Sequence, residues 1–115
     1  MMIEKYSFGR IIINGKEYRK DVIITTEGVL PNWWRKKGHR LSIEDLEGRI
    51  NFDLDVLIIG TGYYGIMKVP NEVIEELKKR GVKEVIVKKT KEACEIFNEL
   101  LNKGVKVVAA LHLTC

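Results

Sequence analysis

The sequence of 115 residues contains no glutamine, only two prolines and only two cysteines. Cys94 lies in a predicted helix and Cys115 ends the sequence, so their spacing matches neither a metal site nor a disulfide framework. The longest apolar runs, 56–59 and 107–111, are far shorter than the roughly 20 residues that a membrane span requires. These absences predict a protein without a bound metal, without a disulfide and without a membrane-spanning segment.

The residues that are present predict a soluble globular protein. Hydrophobic residues make up 45% and charged residues 31% of the chain, with a net charge of +4. Charged residues interrupt the N-terminus before any signal-peptide core could form, which predicts a cytoplasmic location. Abundant Lys and Glu without Gln is typical of hyperthermophile proteins and predicts a thermophilic source. The length predicts one domain over residues 1–115.

The first part of this domain, residues 1–54, has the pattern of hairpins and loops. Asn14-Gly15 separates two β-rich runs, 1–13 and 16–25, and this dipeptide predicts a two-residue hairpin turn. Glu27-Gly28 predicts a second turn before a short extended piece. Ser42 with acidic residues after it predicts a helix of one or two turns that Gly48 closes.

The second part, residues 55–115, alternates strand and helix. Strands are predicted at 56–59, 82–87 and 105–113. Helices are predicted from 71 to about 80 and from a cap at Thr90 to Gly104. This βαβαβ order predicts an α/β fold with a parallel layer, to which the N-terminal antiparallel hairpin is joined to give a mixed sheet.

The loop at 60–65 spells G-x-G-x-x-G at the carboxyl end of the first parallel strand. In a dinucleotide site such a loop opens directly into a helix, but here residues 66–70 intervene. The second strand ends in Lys88-Lys89, where a ribose-binding acid would be expected. The pattern therefore favours a tight β-loop, over which Tyr63 and Tyr64 pack, above a dinucleotide site.

A second candidate is the basic segment 33–40, Trp-Trp-Arg-Lys-Lys-Gly-His-Arg. Adjacent tryptophans in extended chain point in opposite directions, so one is predicted to enter the core and one to stay exposed. Cations beside an aromatic ring could bind an anion, a base or single-stranded nucleic acid. The alternative, with the cations merely solvated, is favoured over nucleic-acid binding because no nucleic-acid reading motif accompanies the segment.

His39 and His112 are the only histidines. His112 lies in the apolar last strand and is predicted to be a core or edge histidine with its hydrogen bonds satisfied. His39 could act as an acid or base, although no serine or cysteine nucleophile motif surrounds it. Two histidines far apart in sequence disfavour a metal site.

Several short motifs in the same order resemble a family of small uncharacterised domains whose type member is a methanogen protein. The motifs are Phe8-Gly9-Arg10-Ile11, Asn14-Gly15-Lys16, Asp21-Val22-Ile23-Ile24, Trp33-Trp34-Arg35 with Gly38-His39, Leu57-Ile58-Ile59-Gly60-Thr61-Gly62, and Phe97-Asn98 with Val107-Val108-Ala109-Ala110-Leu111. Relatives include the adipogenesis-associated Mth-domain protein and mitochondrial complex I assembly factor three. The resemblance implies an α/β fold with a β-hammerhead-like N-terminal part, an archaeal source and a role in assembly or regulation, without a known reaction.

The sequence thus predicts a non-enzymatic interaction or assembly module with a candidate pocket for a small anion. That pocket comprises Trp34, Arg35, His39, Gly60, Thr61, Gly62 and Tyr63. No cofactor is expected, and the expected partner is another protein, with a homodimer as a further expectation. The alternatives are an enzyme that uses His39, and a nucleotide or nucleic-acid binder.

Overall fold

A computed structural model describes residues 2–115. Eight strands are present in that range: β1 (Ile3–Ser7), β2 (Arg10–Ile13), β3 (Lys16–Tyr18), β4 (Val22–Thr25), β5 (Gly28–Leu30), β6 (Val56–Thr61), β7 (Glu84–Lys88) and β8 (Val107–His112). The helices are α1 (Asn71–Lys79) and α2 (Thr90–Asn102), and Ile43–Asp45 forms a 3₁₀ turn. Neither helix has the length and apolar character needed to cross a bilayer.

The strands form two sheets. An antiparallel sheet has the order β1-β2-β3, and a mixed sheet has the order β5-β4-β8-β6-β7. Within the mixed sheet, β6 is parallel to both β7 and β8, whereas β4 is antiparallel to β8 and to β5. The predicted α/β class, with an antiparallel N-terminal part joined to a βαβαβ layer, is confirmed.

The two helices lie on opposite faces of the mixed sheet. The chain moves outward from β6 to β7 and then returns past β6 to β8, so two right-handed crossovers place their helices on different sides. Leu77 of α1 packs in the same core as Leu57 and Ile59, whereas Phe97 of α2 packs with Ile58. Each buried strand therefore contributes alternate residues to two cores.

The three-stranded sheet and α2 cover one face together. Ile3, Ile11 and Ile13 are buried in the core that contains Phe97. The Asn98 side chain fixes the contact, because it accepts the Ile3 amide hydrogen at 2.9 Å and donates to the Ile3 carbonyl at 2.7 Å. On the other face, α1 and the irregular chain around Trp33, Leu41 and Leu46 complete the second core.

The Asn14-Gly15 turn is confirmed. Ile13 pairs with Lys16, which leaves two residues in the turn, and both have positive φ, 49° and 79°. Positive φ at both positions is the requirement of a type I′ turn, which is why Asn followed by Gly is such a specific signal. The second predicted turn is present but lies one residue earlier: Thr25 pairs with Gly28 across β4 and β5, so Thr26 and Glu27 form the turn and Gly28 begins β5.

The sequence pattern suggested a single strand over the β-rich run 16–25, but the structure has two strands there. The run divides into β3 and β4, which belong to different sheets. The break follows from Asp21, whose carboxylate accepts the Leu113 amide hydrogen and so ties the chain to the end of β8. A further hairpin, closed where Ser7 pairs with Arg10, was not predicted because its Phe8-Gly9 turn carries a weak signal.

The predicted cap at Thr90 is wrong. Lys89 occupies the N-cap position, and Thr90 is the first residue of α2. The buried Thr90 hydroxyl accepts the Gly62 amide hydrogen at 2.8 Å and donates to the His112 carbonyl at 2.6 Å. The hydroxyl therefore connects α2 with the ends of β6 and β8. Because it is bonded to Gly62 and His112, it does not cap its own helix.

Replacing Phe97 by Ala should lower the free energy of unfolding by about 3–5 kcal/mol, the usual cost of removing a buried aromatic ring. Phe97 is almost fully buried between α2 and the mixed sheet. Chemical denaturation by guanidinium chloride measures the change. Glu95→Ala, at an exposed position of the same helix, should stay within about 0.5 kcal/mol of the unmodified chain, and equal effects in both variants would contradict the assigned core.

Candidate functional site

The carboxyl end of the parallel strands is the candidate site, because the strand order reverses at β6 and such points are where open α/β sheets bind ligands. Four parts of the chain meet there. The Gly9 amide donates to the Leu113 carbonyl at 2.9 Å, the Ile66 amide to the Cys115 carbonyl at 3.0 Å, and the Lys68 amide to the His39 carbonyl at 2.8 Å. The glycine loop and the basic segment, recognised separately in the sequence, are therefore neighbours.

The glycines of the loop allow close packing of the protein on itself. A Cβ at Gly60 would lie 2.8 Å from a Leu111 methyl carbon and 2.9 Å from the Thr90 hydroxyl oxygen. A Cβ at Gly62, where φ is 104°, would lie 2.4 Å from the Cys115 carbonyl carbon. Both positions therefore require glycine because strand, helix and C-terminal chain approach the loop closely.

Three polar groups of this loop have partners within the protein. The Gly62 amide donates to Thr90. The Tyr63 amide donates to the Thr114 carbonyl at 2.6 Å, and the Thr61 hydroxyl donates to the Lys88 carbonyl at 3.1 Å. A phosphate would have to displace these bonds to use the loop in the manner of a nucleotide site.

Behind the loop lies a buried cluster of Asp21, Arg35 and His112. One Asp21 carboxylate oxygen lies 2.8 Å from the Arg35 guanidinium and 2.8 Å from His112 Nδ1, and the other accepts the Leu113 amide hydrogen at 2.7 Å. A second Arg35 nitrogen donates to the Gly38 carbonyl at 3.0 Å. Arg35, expected in the anion pocket, is 7% exposed and already paired with a carboxylate.

These contacts set the ionisation of Asp21. Burial alone would raise the pKa of the carboxyl group, since the charged form loses hydration. The hydrogen bonds from His112, the Leu113 amide and Arg35 outweigh burial and hold the pKa of Asp21 below its ordinary value. Asp21 is therefore the negatively charged member of the cluster, and it contacts both Arg35 and His112.

His112 combines a fixed ring with an unpartnered nitrogen. A carboxylate at Nδ1 is the arrangement that orients histidine bases in enzymes. However, His112 Nε2 has no hydrogen-bond partner within residues 2–115 and no exposed surface. The prediction of a core histidine is confirmed, whereas the expectation that all its hydrogen bonds are satisfied is wrong for Nε2.

His39 is exposed, and its ring centre lies 6.0 Å from that of His112 in an edge-to-face arrangement. The fold therefore places the two histidines next to each other, although they are far apart in the sequence. Within residues 2–115, no group of three or more histidine, cysteine or acidic residues is arranged to hold a metal ion.

The tryptophan pair divides as predicted. Trp33 is buried, its indole N–H donates to the Asp45 carbonyl at 2.9 Å, and the Arg35 guanidinium lies 4.7 Å from its ring centre. Trp34 is 68% exposed. The Asp45 carboxylate accepts the Ser42 amide hydrogen, which is one of the two contacts of a capping box, and it also accepts the Ser42 hydroxyl and the Lys36 amide hydrogens.

An exposed aromatic cluster stands beside the glycine loop, formed by Phe8, Tyr63 and Tyr64. Their exposed fractions are 49%, 46% and 62%, and their ring centres lie 5.0–6.0 Å apart in tilted or edge-to-face contacts. Phe8 was missed because it lies in the unpredicted turn. The one sequence feature that pointed to Phe8 was its place in the Phe8-Gly9-Arg10-Ile11 motif.

The surroundings of this cluster are basic. The segments that form the carboxyl end, 8–10, 33–40, 62–70, 88–91 and 113–115, contain nine Lys or Arg residues and no Asp or Glu. Arg10, Arg35 and Arg40 pair with acids from elsewhere in the chain. The remaining six form no ion pair within residues 2–115: Lys36, Lys37, Lys68, Lys88, Lys89 and Lys91.

The carboxyl end is a surface more than a pocket. Four cavities of residues 2–115 are not lined by any of the seven residues expected in the anion pocket, although the smallest, of about 120 Å³, is lined by Lys36, Lys37 and Arg40 of the basic segment. The structure brings the glycine loop near the basic segment, but it buries Arg35 and leaves Trp34 and His39 exposed. An anion pocket at these residues stays a prediction.

Residues 3–112 match the protein family of unknown function DUF498/DUF598. The chain belongs to this family. It is 35% identical to the conserved hypothetical protein PH1505 from Pyrococcus horikoshii OT3, with a TM-score of 0.82 and complete coverage of both chains. It is 27% identical to the solved protein MT938, with a TM-score of 0.77, 99% of this chain and 98% of that chain covered.

A third solved structure shares the fold alone. This Mth938-like domain from Bordetella pertussis is 20% identical, with a TM-score of 0.71, 97% of this chain and 85% of that chain covered. The resemblance to Mth-type domains predicted from the sequence is therefore confirmed. The relatives' names state no reaction, so the chemistry of this end of the sheet has to be inferred from its own residues.

Arg35→Ala should lower the free energy of unfolding by about 3 kcal/mol, because removing one partner of a buried ion pair leaves the other charge uncompensated. Urea denaturation at neutral pH measures the change. The control is Arg19→Ala, since Arg19 forms its ion pair at the surface and is 70% exposed; it should change stability by less than about 1 kcal/mol. A small effect of Arg35→Ala would mean that the cluster is not structural.

Asp21 should make the protein less stable in acid. Its folded pKa lies below its unfolded value of about 3.9, so its contribution is complete above that pH and is lost as pH falls through the folded pKa. Asp21→Asn should flatten the dependence of unfolding free energy on pH between about 4 and 2. Denaturant melts across that range measure the slope, and an unchanged slope would contradict the assignment.

Proposed function

We propose that this chain is a non-enzymatic protein-interaction module whose binding face is the carboxyl end of the parallel strands. The observation that carries the proposal is the cluster of Phe8, Tyr63 and Tyr64, three large rings that stay about half exposed on two adjoining turns. Exposed aromatic residues grouped on a rigid base are typical of interface centres, where Tyr and Trp supply much of the binding energy.

The charges around the rings favour an acidic partner. The segments that form this end contain six lysines that have no ion pair within residues 2–115, and they contain no acidic residue. Cations at the rim of an interface speed association with a negatively charged surface and orient it. The partner that fits is therefore a protein with an apolar patch surrounded by Asp and Glu.

Two features favour protein over nucleic acid. The rings meet edge to face, with interplanar angles of 68° between Phe8 and Tyr63 and 75° between Tyr63 and Tyr64, so they do not form a flat platform for successive bases. At this end of the sheet the cations without an ion pair in residues 2–115 are all lysines, which lack the forked geometry that arginine offers to phosphate.

A second copy of this chain fits the same face poorly. In a two-fold dimer the same patch meets itself, so the lysines of both copies would be brought together. The sequence-based expectation of a dimer relied partly on the apolar last strand, but β8 lies inside the sheet between β4 and β6. A homodimer through the edge strands β5 or β7 stays a prediction.

The enzyme alternative has less support. His39 is exposed but lines none of the four described cavities, and the better-oriented histidine, His112, has its unpartnered nitrogen buried. A general base needs hydrogen-bond reach to a substrate proton. An interaction role also agrees with the assembly function that the resemblance to complex I assembly factor three implies.

The double variant Tyr63→Ser, Tyr64→Ser should weaken partner binding about tenfold or more, because aromatic residues at interface centres contribute about 2 kcal/mol or more. A partner captured from cell extract is first identified and purified, and its affinity is then measured by isothermal titration calorimetry. Lys68→Glu with Lys89→Glu should also weaken binding and reduce its dependence on salt.

Met2→Ser is the matched control, since Met2 is a comparably exposed apolar residue outside the cluster. It should leave the affinity unchanged. If the control weakened binding equally, the interface would have to lie elsewhere on the molecule.

A titration with single-stranded RNA is run in parallel. RNA binding that the tyrosine and lysine variants abolish would show that the partner is a nucleic acid and not a protein. If the purified chain self-associates and the tyrosine and lysine variants do not, the partner is a second copy of the chain.

A further inference from the structure

A cavity of about 550 Å³ lies at the opposite end of the mixed sheet, where β8 begins and where the β4–β5 turn lies. It is formed between that turn and the irregular segment 49–54. Volumes of this order are those of small-molecule sites, which commonly run from about 300 to 1,000 Å³. None of the residues of the proposed interaction face line it, so it is a separate feature of the molecule.

The cavity has an apolar base and a polar margin. Leu54 and Val108, which are almost fully buried, lie at its base together with the partly buried Ile50. Val29 and Leu30 form the side contributed by the sheet edge. No aromatic side chain lines it. Aliphatic walls without a ring to stack on suit an alkyl chain better than a nucleobase.

The margin carries an excess of positive charge. Arg49 and Lys106 line the cavity, and neither side chain forms an ion pair or hydrogen bond with another residue of the described chain. Asp55 accepts the Lys106 amide hydrogen at 3.0 Å, and its carboxylate forms an ion pair with Lys83 at 3.3 Å. Glu27 is the single acidic residue in the lining, so the lining residues together carry one net positive charge.

Asn51 adds a neutral donor. Its side-chain oxygen accepts the Asp53 amide hydrogen at 2.8 Å, which fixes the side chain and leaves its NH₂ group without a partner in residues 2–115. A guanidinium, an ammonium and an amide NH₂ are all donors and all suit an anionic oxygen. The donors lie at the margin and the methyl groups at the base, which matches a molecule with a charged head and an apolar body.

We infer that this cavity binds a small aliphatic molecule with one anionic head group, such as a carboxylate. Arg49 and Lys106 hold the head at the margin, Asn51 donates to it, and the alkyl chain lies on Leu54 and Val108. The site is independent of the interaction face at the other end of the sheet. Either one can therefore fail in experiment without affecting the other.

The test is a titration of the ¹⁵N-labelled protein with octanoate, followed by two-dimensional NMR. Saturable shifts of the amides of 25–30 and 49–54 are expected. 1-Octanol, with the same alkyl chain and no charge, should bind about tenfold or more weakly, the factor that one hydrogen bond to a charged group accounts for. Shifts confined to the aromatic loop, or no saturation at millimolar octanoate, would overturn the inference.

Variants at exposed positions separate the charge effects. Arg49→Gln with Lys106→Gln should weaken octanoate binding about tenfold or more. Glu27→Gln should tighten it, because the one acidic group at the margin is removed. Lys20→Gln, an exposed cation outside this cavity, should leave it unchanged. Equal affinity for octanol and octanoate, or no response to the Arg49 and Lys106 changes, would show that the charged margin has no part in binding.

Discussion

The carboxylate of Asp21 joins three parts of the chain that are distant in sequence. It binds Arg35 of the basic segment, His112 at the end of β8 and the backbone amide of Leu113. Without it the Arg35 guanidinium would still lie 3.0 Å from His112 Nδ1, but Arg35 would be a buried charge without an acidic partner. The position of Trp34 and His39 on the surface depends on that anchor.

The same carboxylate explains why the carboxyl end forms a surface. Arg35 is directed inward to Asp21, so a cation that the sequence offers to ligands instead stabilises the fold. The glycines of the loop let the C-terminal residues and α2 approach closely, which fills the space where a phosphate would bind. The aromatic rings of the neighbouring turns have no remaining core to enter and therefore lie on the surface.

The opposite end of the sheet is covered less completely. The segment 49–54 has no helix, and it crosses the sheet beside the short edge strand β5. A loop without an amphipathic face cannot fill the space over two strands as α1 does over β6 and β7. The cavity beneath it is a consequence of that difference, and its basic margin gives it a chemical preference.

Much of the fold could be predicted because its signals are local. The Asn14-Gly15 turn, the apolar stripes of α1 and α2 and the buried run of β6 each follow from residues within one element. The break between β3 and β4 could not be predicted, because it depends on contacts from Asp21 to residues about ninety positions away. The role of Thr90 was mistaken for the same reason, since its hydroxyl serves Gly62 and His112 in place of its own helix.

By itself the sequence determined the α/β class, the βαβαβ order and the two segments of interest, because periodicity, glycine positions and local charge are properties of neighbouring residues. Only the tertiary structure decided which of their side chains are available. It buried Arg35 and His112 against Asp21, exposed Phe8 beside Tyr63 and Tyr64, and opened a cavity under 49–54. Burial and ion pairing depend on contacts between residues that are distant in sequence. Those contacts form only when the helices and loops pack on the two faces of the sheet.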